Sequence, residues 1–197
     1  MLYKIELPKP SDTLIAHVRR IVSERPTNTK SKEWHQTMQP ANVNCAAGDF
    51  FTHPLINAIA KSEFQSYFNC EIYPTLGIIK NTETNLLASY PPHTDRVRAV
   101  GINFYIDLGG SNVETVFYDK HDDPNDKIGG NVCSYNDVKE ISKYSFNAFE
   151  WYLLDTRQYH SVENIETNRI ILSLSLMCDI KEFLTKCLAT DRGIEPL

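Results

Sequence analysis

No run of about 18 apolar residues occurs anywhere in the chain, so a membrane-spanning helix is not expected. The first ten residues, MLYKIELPKP, lack the apolar stretch that a secretory leader carries behind its basic start. No CxxC pair is present. The five cysteines (Cys45, Cys70, Cys133, Cys178 and Cys187) are odd in number and irregular in spacing, which argues against a disulfide frame or a zinc knuckle. They read as reduced thiols of an intracellular, cytoplasmic protein. There is no basic block either. Twenty Lys and Arg face 25 Asp and Glu, a net charge of −5, so neither a nucleic acid nor an anionic membrane is expected as the main partner. With no repeats, linkers or low-complexity stretches, the 197 residues are expected to form a single domain with a substantial core.

What is present falls into two regimes. Residues 12–24, DTLIAHVRRIVSE, place Leu14, Ile15, Val18, Ile21 and Val22 on one helical face, with Ser11 or Asp12 available as N-cap. Residues 54–67 repeat the design, with Pro54 tolerated in the first turn. Between them, PTNTKSKEWHQTMQP reads as a polar connection whose Trp34 lies over the core or over a site. From about residue 70 the period changes. Short runs rich in Val, Ile, Phe, Tyr and Leu predict strands near 71–79, 86–90, 99–107, 113–119, 149–154, 159–163 and 168–178. Strands without intervening helices imply an antiparallel sandwich or barrel, so the fold class is mainly β with flanking helices (α+β). Residues 120–130 read as an exposed loop and 180–188 as a closing helix.

The segment Tyr90-Pro-Pro-His-Thr-Asp95 carries the chemistry. In an extended chain residues i and i+2 point the same way, so His93 and Asp95 can present an imidazole and a carboxylate to one divalent ion such as Fe(II). With six histidines in the chain a His-x-Asp match arises readily by chance, and a second stands at His121-Asp122-Asp123. That one sits among turn formers, where no strand holds the side chains in register, and is read as solvated loop. The first gains weight from WYLLDTRQYHSVEN, in which His160 opens a strand and can complete a two-histidine, one-carboxylate face. Nine residues on, Arg169 stands in the apolar run RIILSLSLM, where a guanidinium is costly unless an acceptor meets it. Ser173 shares its parity. Guanidinium and hydroxyl together can bind one carboxylate of a small diacid.

His93, Asp95, His160 and Arg169, in that order and spacing, resemble the Fe(II)- and 2-oxoglutarate-dependent dioxygenases, particularly the prolyl-hydroxylase-like members. The resemblance spans roughly residues 70–178. It implies a double-stranded β-helix (jelly-roll) core over about 70–180, with helical support over about 1–69. It also implies Fe(II) held by His93, Asp95 and His160, with 2-oxoglutarate and O₂ as co-substrates. Ser173 matches a hydroxyl residue that such proteins place four residues after the Arg, and Tyr105 matches a tyrosine on the strand after His-x-Asp. Both are expected to join Arg169 on the far carboxylate of 2-oxoglutarate. The implied reaction is hydroxylation of an unactivated C–H bond in a peptide or protein side chain, an amino acid or a small metabolite. The family's tyrosine about ten residues before the first ligand is missing; Glu83 occupies that place. Asp155 and Asn164 are candidates for orienting the His160 imidazole. The polar 25–50 stretch and the 120–130 loop are candidates for a cover. Two other readings stand beside this one: a non-catalytic barrel that binds metal, and a cupin-type metal enzyme without 2-oxoglutarate.

Overall fold

The computed structural model describes residues 2–83, 85–95, 98–120, 132–188 and 193–197. Helix α1 (Asp12–Glu24) forms where the apolar spacing predicts it, and buries Leu14, Ile15, Val18, Ile21 and Val22. The Ser11 hydroxyl accepts from the Leu14 N–H at 3.1 Å, and the helix ends at Arg25, whose backbone is extended ahead of Pro26. Helix α2 (Thr29–Met38) corrects the reading of this stretch as a connection. It has no apolar stripe and buries only His35. Side-chain bonds hold it in place: Ser31 with the Gly48 backbone, and Gln36 with Val43 and Cys45. Helix α3 (Pro54–Phe64) follows, and α4 (Ile180–Glu182) runs on into a π-helical turn over Phe183–Cys187. Trp34 lies on the surface and touches His35.

Eleven strands are described: β1 (Leu2–Ile5), β2 (Ala47–Phe51), β3 (Tyr73–Lys80), β4 (Ala88–His93), β5 (Val100–Leu108), β6 (Glu114–Lys120), β7 (Val138–Tyr144), β8 (Trp151–Asp155), β9 (Tyr159–Ile165), β10 (Asn168–Leu176) and β11 (Ile194–Pro196). They form a seven-stranded sheet in the order β11-β1-β8-β5-β10-β3-β2 and a four-stranded sheet in the order β4-β9-β6-β7, and every strand pair is antiparallel. From β3 to β10 the chain passes back and forth between the two sheets. The strand order β3-β10-β5-β8 in one and β4-β9-β6-β7 in the other is that of a double-stranded β-helix.

Two-residue alternation sorts the side chains. On β5, Val100, Ile102, Phe104 and Ile106 face the helices, and on β10 Ile170, Leu172, Leu174 and Leu176 do the same. With the apolar faces of α1 and α3 they make the main core, where each fully buried side chain contributes about 1.5–3 kcal/mol relative to exposure. The opposite parity on these strands (Asn103 and Tyr105, then Arg169, Ile171, Ser173 and Ser175) is left for the barrel interior. Four buried polar residues on that side (Asn103, Arg169, Ser173 and Ser175), set against eight apolar ones on the other, mark the interior as more than core. No helix among the described residues is long and apolar enough to cross a membrane.

Candidate metal centre

His93 ends β4 and His160 begins β9, and the two are register partners across the β4–β9 ladder. Their rings lie 4.4 Å apart between centroids. Asp95 follows two residues after β4, and its Oδ1 is 3.7 Å from His93 Nε2. One ligand atom from each of the three residues lies within 4.8 Å of the others. Both imidazoles are oriented by their own backbones: His93 Nδ1–H donates to Pro91 O at 2.8 Å and His160 Nδ1–H to Gln158 O at 2.9 Å. That fixes the tautomer and leaves each Nε2 with its lone pair for a ligand. Backbone carbonyls thus take the place that Asp155 and Asn164 were expected to fill. The Asp155 carboxylate instead accepts from the Arg157 N–H.

Burial, reinforced by the neighbouring His160, pushes the His93 imidazole down to about 3, and burial lowers His160 as well. Burial by itself would raise the Asp95 carboxyl, but Arg98 and the two imidazoles outweigh it and hold it at about 2. At neutral pH the trio is therefore two neutral imidazoles and one carboxylate, the protonation states a divalent cation requires. Arg98 Nε donates to Asp95 Oδ2, the oxygen turned away from His93, so Oδ1 stays with the imidazoles. Arg98 lies only three residues from Asp95, but spacing alone did not identify the carboxylate it would pair with.

Arg169 is 1% exposed. Its Nη2 donates to Thr115 Oγ1 at 3.2 Å, and the guanidinium carbon stands 4.5 Å from the centre of the Tyr105 ring. Its Nε finds no hydrogen-bond partner and no carboxylate pairs with it among the described residues. Tyr105 is equally buried and stacks on Phe146 at 4.8 Å. One pocket is lined by His93, Asp95, His160, Tyr105, Thr115 and Arg169, with Ile79, Leu154, Val162 and Ile171 as its apolar wall. Its cavity volume is about 30 Å³.

The structure separates Ser173 from this group. Its parity is as predicted, but it lies opposite Asn103 in the β10–β5 register, donates to Asn103 Oδ1 at 2.6 Å and accepts from Arg98 Nη1. Thr115, from the other sheet, supplies the hydroxyl on Arg169; a contact between sheets leaves no mark in local sequence spacing. Glu83 lies away from the pocket, paired with Lys32. Tyr90, which sequence reasoning also missed, sets its ring edge-on to His93 at 4.8 Å. It fits there because Gly48 lies beneath it: a Cβ on Gly48 would come within 2.2 Å of the Tyr90 ring. The second His-x-Asp match and the 120–130 loop fall almost wholly outside the described residues.

Behind Tyr90 sits His35, 3% exposed, its ring 4.8 Å from the tyrosine and its Nδ1 without a partner among the described residues. Burial holds it at about 4, against the opposing hydrogen bond to the Ala46 backbone. The unfolded chain, titrating near 6.5, therefore binds more protons between pH 6.5 and 4, and stability falls as pH falls through that window. His35→Leu is expected to remove this part of the acid sensitivity. The urea stability of wild type relative to the variant should drop by roughly 3 kcal/mol between pH 7 and pH 4. Parallel pH profiles for the two proteins would rule this out.

No family model matches the chain, and neither does any curated protein. Among solved structures the chain is similar to a Pseudomonas putida prolyl-4-hydroxylase at 11% identity, covering 89% of this chain and 92% of that one with a TM-score of 0.44. It is also similar to the non-heme alpha-ketoglutarate-dependent epimerase SnoN from nogalamycin biosynthesis at 13% identity, covering 87% and 76% with a TM-score of 0.47. SnoN in complex with Fe3+, alpha ketoglutarate and nogalamycin RO aligns at 13% identity over 98% of this chain and 80% of that chain, with a TM-score of 0.45.

Proposed function

We propose that the chain is an Fe(II)- and 2-oxoglutarate-dependent oxygenase that hydroxylates a C–H bond of a protein side chain, an amino acid or a small metabolite, with succinate and CO₂ as co-products. The observation that carries this reading is Arg169, a buried guanidinium with no carboxylate paired to it among the described residues, lining the same pocket as two neutral histidines and an aspartate. A mixed nitrogen and oxygen donor set suits Fe(II), and an unpaired buried cation suits a carboxylate brought in from outside. A cupin-type enzyme without 2-oxoglutarate would have no use for that cation.

In this reading His93, Asp95 and His160 hold the metal, and Arg98 keeps the Asp95 carboxylate turned toward it. Arg169, the Thr115 hydroxyl and Tyr105 receive the far carboxylate of 2-oxoglutarate. Ile79, Leu154, Val162 and Ile171 keep water away from that end. Iron held by the histidine–aspartate trio would supply the activation of O₂. Since the pocket holds only about 30 Å³, binding the co-substrate moves side chains of its wall outward. A second, open cleft of about 460 Å³ shares Asp95 and Arg98 with the site and is lined by Phe50, Phe51, Thr52, Thr75 and Ser175. It is the approach for the substrate to be oxidised. A larger groove of about 690 Å³, along Ile141, Tyr144 and Leu197, contains none of the proposed ligands and is set aside. An intracellular location would supply both Fe(II) and 2-oxoglutarate.

Mixing the protein anaerobically with Fe(II) and 2-oxoglutarate should produce the weak visible charge-transfer absorption of the chelate, and admitting O₂ should release succinate. Absence of the band in wild type would overturn the co-substrate assignment. A band without succinate, across a panel of amino acids, peptides and small metabolites, would favour a non-catalytic binder.

A further inference from the structure

Away from the barrel interior, on the helix-covered side of the larger sheet, three cysteines converge. Cys70 lies in the turn before β3, Cys178 two residues past the end of β10, and Cys187 at the end of the π-helical turn. Cys187 belongs to the main core and the other two pack against it. The three sulfur atoms all lie within 4.8 Å of one another, and those of Cys178 and Cys187 are 3.5 Å apart. Thiolates bound to one ion at about 2.3 Å sit roughly 3.8–4.0 Å from each other in tetrahedral or trigonal geometry, so the trio is already close to ligating separation.

The backbone around the cluster is fixed independently of the sulfurs. The Asn69 N–H donates to Cys187 O at 2.7 Å, and Asn69 Nδ2 reaches Lys186 O at 3.1 Å and Leu188 O at 3.0 Å. Gln65 Nε2 donates to Cys70 O at 2.8 Å. Cys187 is buried while Cys70 and Cys178 are half-buried, which leaves a route in from solvent. An all-sulfur donor set selects a soft, thiophilic ion and discriminates against the Fe(II) that suits the histidine–aspartate trio. Burial pushes the Cys70 and Cys178 thiols up to about 12 in the metal-free protein, so loading must release protons.

We propose that Cys70, Cys178 and Cys187 form a second metal site, a three-thiolate centre for a thiophilic d¹⁰ ion such as Zn(II) or Cu(I), which ties the C-terminal segment to the turn before β3. Widely separated positions with no CxxC gave no hint of it in the sequence. The inference does not depend on the oxygenase reading.

The test uses the full-length, reduced protein carrying His160→Ala, so that the histidine–aspartate trio does not compete, with Cd(II) as the probe. One equivalent of Cd(II) should bind with an ultraviolet sulfur-to-metal charge-transfer band, release protons and raise the melting temperature. Cys70→Ser and Cys178→Ser, both at half-exposed positions, should each weaken binding by at least about tenfold while circular dichroism shows the fold retained. Cys187→Ser is avoided because its core position could unfold the segment. No sulfur-to-metal band at one equivalent, or undiminished affinity in both serine variants, would overturn the proposal.

Discussion

His160→Ala is expected to lower Fe(II) affinity by more than about 100-fold and to abolish 2-oxoglutarate turnover, while the fold survives. The lower bound follows from the effect of losing a residue that merely orients a ligand, which already costs about 10–100-fold; losing one of three ligands costs more. The structural cost should be small, about 1–2 kcal/mol, because the one side-chain hydrogen bond of His160 among the described residues goes to Gln158 O, and its ring otherwise touches His93 and Phe117. Asp95→Ala should match it in lost metal affinity and differ sharply in stability. Arg98, with its side chain 10% exposed, would lose its carboxylate, and stranding a mostly buried cation costs about 3 kcal/mol or more. Anaerobic Fe(II) titration calorimetry and urea denaturation of the two variants check both halves. Affinity within threefold of wild type in His160→Ala would sink the metal assignment. Equal stability losses in the two variants would sink the role given to Arg98.

The proposed ligands were legible in the sequence because each requirement is local. A two-residue step on extended chain puts His93 and Asp95 on one side, and the start of a strand puts His160 opposite. The same alternation predicted which faces of β5 and β10 turn inward, and Tyr105 and Arg169 do share the pocket. Ser173 shows where parity stops being enough. Facing inward at the right distance along the strand still left its partner undetermined, and the β10–β5 register gave it to Asn103. Thr115 reaches Arg169 from the other sheet, so only the packing of one sheet on another reveals it, while Tyr90 shares β4 with His93 and its place depends on Gly48 from a distant strand beneath its ring. The elements that escaped notice share a physical cause as well. Strand β7, VKEISKY, is exposed along most of its length, and α2 buries only a histidine, so neither carries the apolar period that betrays an element in advance. Strands β1 and β11 are four and three residues long, too short for a period to be read.

Arg169→Met should make the metal-free protein more stable while destroying its affinity for 2-oxoglutarate. A structural arginine in the interior belongs to an ion pair, and removing one partner of such a pair costs about 3–5 kcal/mol. Arg169 has no such partner among the described residues: one bond to Thr115, two aromatic faces nearby, and an Nε with nothing to donate to. Among the described residues, that guanidinium has no counter-charge to offset its desolvation until an anion arrives. A methionine of similar length relieves it and keeps the volume, so the gain should be about 1–4 kcal/mol, the range seen when buried charges give way to well-packed apolar residues. The bound state moves the other way. Losing a buried charge-assisted pair costs about 2–5 kcal/mol, or at least about 30-fold in the dissociation constant for 2-oxoglutarate. Iron binding, which rests on other residues, should stay within a few-fold. Thermal denaturation without ligand, set beside anaerobic 2-oxoglutarate titration of the iron-loaded protein, reads both signs at once. A destabilised variant would mean that Arg169 is a structural cation whose partner the fold provides. A stabilised one that still binds 2-oxoglutarate at wild-type strength would place the co-substrate's far carboxylate elsewhere.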